Sequence, residues 1–181
     1  FLSCCVSSNC VTLLFGSVRG VSVTALVLAS FGCTNLLLGE TNALRRETVR
    51  KTQVCELYDP INDAGPEDNS FDIVLDAVGG RATREASSKA VKPGGTIIHI
   101  GLMDSNDGLD IRKFTLQEIT FSGCYTYTMK DFRDTVEALH SGKLGDLNWI
   151  EQRPLSEGSS AFLDLSQGKT AAAKIILIPD H

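Results

Sequence analysis

Apolar residues fall along this chain in short continuous runs, and most of the runs are stopped by glycine. The stretch Phe71-Asp72-Ile73-Val74-Leu75-Asp76-Ala77-Val78-Gly79-Gly80 ends at an acid, a small residue and two glycines. One helix-length later, Pro93-Gly94-Gly95-Thr96-Ile97-Ile98-His99-Ile100-Gly101 repeats the form. Strands of a parallel sheet are covered on both faces, so they read apolar throughout. A glycine turn at the end of such a strand lets backbone come close to a ligand.

The rest of the pattern fits the same grammar. Strands are expected at 11–15, 36–38, 54–57, 71–77, 96–100 and 119–124, the 54–57 strand being the weakest. Helices are expected at 21–31, stopped by Gly32, and from a Thr41 or Asn42 cap through Lys51. Two more are expected at 81–91 and 130–141, the last with Phe132, Val136 and Leu139 on one face. Residues 60–69 and 103–110 read as polar loops. After Gly142 the character changes. Residues 144–153 read extended, a short helix opens at Pro154-Leu155-Ser156-Glu157 and stops at Gly168, and an apolar strand at 173–178 ends at Pro179. The expected fold is α/β: a Rossmann-type doubly wound parallel sheet over 11–143, with 144–181 as an appendage belonging to another layer.

Composition narrows the partners. A hydrophobic fraction of 43% over 181 residues builds one core plus an appendage. A net charge of -5 with scattered basic residues argues against nucleic acid. The apolar windows near 1–15 and 21–38 are interrupted by Ser, Thr, Asn and Gly, which argues against a signal segment or a membrane span. The six cysteines form no CxxC pair. Cys33, Cys55 and Cys124 read as reduced core or near-core thiols, so the expected compartment is reducing and cytoplasmic. No histidine has a metal partner in prospect, no serine has a base, and Tyr-x-x-x-Lys is absent, so neither catalytic nor metal-ligating residues are assigned.

The binding residues lie at strand ends. A dinucleotide site wants glycines after its first strand, for the turn, for the pyrophosphate and for close helix packing. Here the string is Gly16-Ser17-Val18-Arg19-Gly20-Val21. Gly16 is in register, Val18 crowds the phosphate position, Gly20 compensates if the turn is shifted, and Arg19 supplies charge. The alternative is a turn that merely preserves the fold. Glu40 stands at the end of the second strand, where a carboxylate accepts the ribose hydroxyls of NAD and repels a 2′-phosphate. Arg45 and Arg46 keep NADP open as the alternative. Ala77-Val78-Gly79 and Ile100-Gly101-Leu102 end successive strands, and their backbone groups are candidates to hold the riboses. Asp76 reads as a cap for the turn after it, and His99 as structural.

Taken in order, these motifs resemble the medium-chain dehydrogenase/reductase family, the zinc-dependent alcohol, sorbitol and threonine dehydrogenases. Leu14-Phe15-Gly16-Ser17, Leu38-Gly39-Glu40, the two glycine-ended strands, Ile119-Thr120-Phe121-Ser122-Gly123 and Lys174-Ile175-Ile176-Leu177-Ile178-Pro179 carry the likeness. The resemblance implies the coenzyme-binding domain of an oxidoreductase that moves hydride between NAD(P) and an alcohol or polyol. It implies a tail that returns to a catalytic half not represented in these residues, where zinc and the proton relay would sit. It matches Ala77, Val78, Ile100, Gly101, Leu102, Cys124 and Tyr125 to loops lining the coenzyme. It places Val18 and Val21 at the second and third glycine positions, and implies a homodimer edge at 119–127. The competing expectation is a degenerate α/β module acting in assembly. An apolar strand at 175–178 without its partner layer is expected to seek another chain.

Overall fold

The computed structural model describes residues 10–16, 21–145, 150–172 and 174–179. Its main body is a six-stranded sheet made of β1 (Val11–Phe15), β2 (Asn35–Gly39), β3 (Glu56–Tyr58), β4 (Phe71–Asp76), β5 (Val91–His99) and β6 (Thr120–Gly123). The spatial order is β3-β2-β1-β4-β5-β6, and every pairing is parallel. The helices are α1 (Val21–Ser30), α2 (Ala43–Thr52), α3 (Arg81–Ala90), α4 (Ile111–Leu116) and α5 (Met129–His140). This is the doubly wound α/β fold that the apolar runs predict.

Alternating residues of the central strands feed two cores. Leu14, Leu36, Leu38, Ile73 and Leu75 pack with Ala25 and Leu28 of α1 and Val49 of α2. Leu13, Phe15, Val74 and Ile97 pack with Ala90 at the end of α3 and Phe114 of α4. Full burial of such side chains contributes about 1.5–3 kcal/mol each, which is why these strands carry no polar alternation. Helix ends follow their sequence signals. Gly32 adopts φ +88° after α1, and Cys33 N–H reaches back to the Leu28 carbonyl at 3.0 Å. Asn42 caps α2, its side chain accepting from Arg45 N–H at 3.1 Å. No helix among the described residues is long and apolar enough to cross a membrane.

The structure departs from the sequence reading at several places. The strand expected from residue 96 already begins at Val91, because Phe71 pairs with Val91 and Ile73 with Thr96, leaving Lys92–Gly95 as an irregular excursion. Helix α4 falls in a stretch, 111–118, to which the sequence pattern assigns no element. Asp110 caps it by accepting from Lys113 N–H at 2.8 Å, and Phe114 anchors it. Cys124 is exposed rather than near the core, since β6 is an edge strand; Cys33 is buried and Cys55 half-buried. Along α5, Leu139 joins a small cluster with Leu26 and Leu144, but Phe132 and Val136 remain exposed.

The tail pairs with itself. β7 (Ile150–Pro154) runs parallel to β8 (Lys174–Ile178), linked by one 3-10 turn, Leu155–Glu157, and α6 (Gly158–Ser166). The apolar strand at 175–178 is thus paired with β7 within the tail, while Ile176 and Ile178 are still exposed. Arg153 braces this unit through Glu151 at 2.6 Å and Asp164 at 2.8 Å. The Asn42 side chain joins it to α2 by donating to the Gly168 carbonyl at 2.9 Å.

Two glycine turns interlock where β4 and β5 end. A Cβ on Gly79 would lie 1.9 Å from the Gly101 oxygen, and one on Gly101 would lie 2.1 Å from the Val78 carbonyl carbon. Gly101→Ala should therefore cost about 3 kcal/mol or more, by overpacking against backbone that cannot rotate away. Gly94→Ala is the control: Gly94 has φ +72° but nothing within 4 Å of an added Cβ, so only about 1–2 kcal/mol of left-handed strain is expected. Urea unfolding of both variants checks the difference, and equal losses would contradict the interlocked geometry.

Candidate functional site

The carboxyl ends of β1, β2, β4 and β5 meet around the point where strand order reverses. In open parallel sheets that is the crevice that takes ligands. Gly16 stands at the end of β1, its N–H donating to the Gly39 carbonyl at 2.9 Å, and Ala77 N–H reaches the Phe15 carbonyl at 3.2 Å. Ser17, Val18, Arg19 and Gly20 lie outside the described residues.

On the β2 side the charged residues form one connected group. Glu40 is only 5% exposed. Its Oε1 accepts from Asn42 N–H at 2.8 Å and lies 3.8 Å from Arg45 Nη1. Arg45 is 8% exposed, and its buried Nε has no hydrogen-bond partner among the described residues. Arg46 turns elsewhere: Nη1 donates to the Glu40 carbonyl at 2.6 Å and Nη2 meets Asp59 at 2.9 Å. The Asn62 side-chain amide, then the Ile61 N–H, hold the Asp59 carboxyl below its usual range, with Arg46 adding to this. Acid and arginine, set against each other as alternative cofactor selectors in the sequence, are thus an ion pair for Arg45 and a brace for Arg46.

On the β4–β5 side Asp76 organises the turns. Its Oδ1 accepts from Val78 N–H at 3.0 Å and Gly79 N–H at 2.8 Å, and its Oδ2 from Thr83 Oγ1 at 2.9 Å. Its main-chain carbonyl accepts from Ile100 and Gly101 N–H at 2.9 and 3.0 Å. Asp76 is thus the turn cap expected of it. Of the backbone groups expected to hold riboses, the N–H groups of Val78, Gly79, Ile100 and Gly101 donate to Asp76. What this side presents is shape and apolar surface: Leu102 is 79% and Met103 68% exposed. His99 Nε2 lies 3.6 Å from Asp76 Oδ2 and has no hydrogen-bond partner among the described residues, while its ring leans on Phe121 with centroids 5.5 Å apart. Cys124 N–H donates to the His99 carbonyl at 2.9 Å, and Tyr125 is exposed beside it at the sheet edge.

Arg84 was missed by sequence reasoning. It reads as a polar position on a polar helix, yet it is buried and ties the chain after β5 to the turn after β4. A separate cleft of about 480 Å³ lies between α2 and the tail, lined by Thr48, Ile150, Glu151, Arg153, Lys169 and Thr170. Its Arg153, Glu151 and Thr170 are already paired with one another or with Asp164. Among the described residues no group of three or more His, Cys, Asp or Glu is placed to hold a metal ion.

Strand order and the glycine turns together define a doubly wound α/β fold of the Rossmann type. The chain belongs to the zinc-binding dehydrogenase family, whose sequence profile matches residues 22–141. It is 27% identical to (R,R)-butanediol dehydrogenase of Saccharomyces cerevisiae over 177 residues, 87% of this chain and 45% of that protein. It is 23% identical to sorbitol dehydrogenase 1 of the same yeast over 184 residues, 93% of this chain and 51% of that protein. The fold matches alcohol dehydrogenase TADH from Thermus sp. ATN1 with a TM-score of 0.81 at 18% identity, covering 94% of this chain and 51% of that one. It also matches acetophenone reductase from Geotrichum candidum, solved in complex with NAD, with a TM-score of 0.78 at 19% identity, covering 92% and 48%. The chain spans about half the length of the curated relatives it matches.

One titration reports on the β2 side. The Tyr58 ring covers Gly39, and burial pushes its hydroxyl up to about 12 from an ordinary value of 10.0. The unfolded chain releases this proton first, so the stabilisation is complete below pH 10 and fades as pH rises toward 12. Tyr58→Phe should flatten the loss of stability across that alkaline range, measured by urea midpoints from pH 8 to 11. An unchanged slope would place the tyrosine in water.

Proposed function

We propose that residues 11–143 are the coenzyme-binding domain of an oxidoreductase that moves hydride between a nicotinamide cofactor and an alcohol or polyol. Residues 144–181 are the tail that joins its catalytic part. Membership in the zinc-binding dehydrogenase family supports the reading, and the observation that carries it is Glu40, a buried carboxylate at the end of β2 beside the switch point. The cofactor's adenosine ribose falls to Glu40, with Gly16, Ser17, Arg19 and Gly20 as the turn for its pyrophosphate. Arg45 sits behind Glu40. Ala77, Val78, Gly79, Ile100, Gly101 and Leu102 form the wall for the other half, and Cys124 and Tyr125 its outer margin. When bound, the nicotinamide supplies or accepts the hydride. The residues described here do not provide a zinc site, so no step is assigned to a metal on this chain. The Glu40 carboxylate, though paired with Arg45, opposes a 2′-phosphate at this position, which favours NAD, with NADP as the alternative.

NADH fluorescence titration of the chain should saturate below millimolar concentration. Glu40→Gln should weaken NADH about tenfold, the scale of one charge-assisted hydrogen bond, and narrow its advantage over NADPH. Absence of saturation in the unaltered chain would favour the assembly-module reading. An unchanged dissociation constant in Glu40→Gln would remove Glu40 from the site.

Assembly follows from the other side of the sheet. Among the described residues β6 pairs only with β5, and Phe121, Tyr125 and Tyr127 are exposed along 119–127. An open apolar edge invites strand pairing, and we assign it to a homodimer. Sedimentation should give a concentration-dependent dimer that Phe121→Lys converts to monomer; a monomer at all concentrations would refute this.

A further inference from the structure

We propose that Arg84 is a positioning residue for the nicotinamide half of the cofactor, fixing the segment after β5 in its binding shape before the ligand arrives. This rests on the coenzyme reading above. Arg84 is 6% exposed although it lies in the first turns of a helix whose neighbours are polar. All five of its N–H donors are used. Nε donates to the Asp107 carbonyl at 3.2 Å, and Nη1 to the carbonyls of Gly79 at 2.8 Å and Asp104 at 3.2 Å. Nη2 donates to the Asp104 carboxylate and the Asn106 carbonyl. Four main-chain carbonyls and one carboxylate thus converge on one cation. The Asp104 carboxylate in turn accepts from Asn106 N–H at 3.1 Å and Arg81 N–H at 3.2 Å.

The segment so held has no strand or helix of its own between β5 and α4. Its path is set by Arg84, by two bonds to the β4 turn (Met103 N–H to the Val78 carbonyl and Asp104 N–H to the Gly79 carbonyl, both 3.2 Å) and by the Gly79–Gly101 contact. That path decides where Leu102 and Met103 stand, and both are left largely exposed. Relative to β1 they lie on the β4–β5 side, opposite Glu40. A dinucleotide laid across the switch point with its adenosine ribose on Glu40 puts its nicotinamide half on this side. Ring-binding pockets are walled mostly by apolar side chains, so Leu102 and Met103 are the surface that half meets. Holding them in place beforehand lowers the ordering cost of binding. Lysine cannot substitute, because its three donors at one point cannot reach the five acceptors that the guanidinium fork spans.

The test compares NADH with ADP-ribose, which lacks the nicotinamide, on the full chain. In the unaltered chain NADH should bind more tightly than ADP-ribose. Arg84→Lys should weaken NADH about tenfold while ADP-ribose changes less than about twofold, and hydrogen exchange at 102–108 should quicken without ligand. If Arg84→Lys does not fold, Asp104→Asn carries the test, with the same split at smaller size. Equal weakening of both ligands would reduce Arg84 to a general structural role, and unchanged NADH affinity would remove it altogether. Equal affinity of the unaltered chain for both ligands would also overturn the proposal. An unaltered chain that binds neither ligand defeats the coenzyme reading, and the proposal with it; one that binds both while Arg84→Lys behaves like it defeats the Arg84 assignment alone.

Discussion

Asp76 has no exposed surface, and its oxygens accept from five donors: Val78, Gly79 and Thr83 on the carboxylate, Ile100 and Gly101 on the main-chain carbonyl. A buried carboxylate is tolerable only when it is this well supplied, because an unpaired one costs several kcal/mol. Supplied in this way, it fixes two successive loops relative to one another. The Gly79–Gly101 contact follows, since only with both turns drawn onto Asp76 do their backbones approach so closely. Arg84 then locks the next segment onto the result. The wall of the crevice is therefore built outward from one side chain.

This has a bearing on how the site offers itself to a ligand. The N–H groups that a flexible loop would turn toward a phosphate or a sugar are here consumed by the protein. The β4–β5 side is internally hydrogen-bonded and exposes Leu102 and Met103, and the β2 side is charged, with Glu40 between Asn42 N–H and Arg45. On the proposed coenzyme reading, recognition is divided between polar groups at one end of the crevice and shape at the other.

The sheet was legible from sequence because its signals are local. A continuous apolar run, a glycine stop and a helix of suitable length recur, and each repeat is self-contained. Asp76, Glu40 and the two glycine turns were legible for the same reason, each marking the end of a strand. Arg84 was not, because its burial depends on carbonyls about 20 residues further on, and an arginine among Thr, Glu and Ser reads as solvated. Helix α4 is too short to show a period, and only its Asp110 cap could have announced it. The exposure of Cys124 follows from β6 being an edge, and the β7–β8 pairing from a crossover over α6; neither is written in a neighbouring residue.

The order of the strands also dictates how the chain must fold. β1, β2 and β3 are neighbours in sequence and in space, as are β4, β5 and β6, so each half-sheet forms from contacts close along the chain. Joining the halves requires β1 to find β4, as in the bond from Val11 N–H to Asp72 at a separation of 61 residues. Closing a loop of that length costs more chain entropy than any pairing within either half. Until it occurs, Leu13, Leu14, Val74 and Leu75 are each missing a flanking strand. The crevice lies on that same seam, so its two walls face each other only because β1 and β4 are paired.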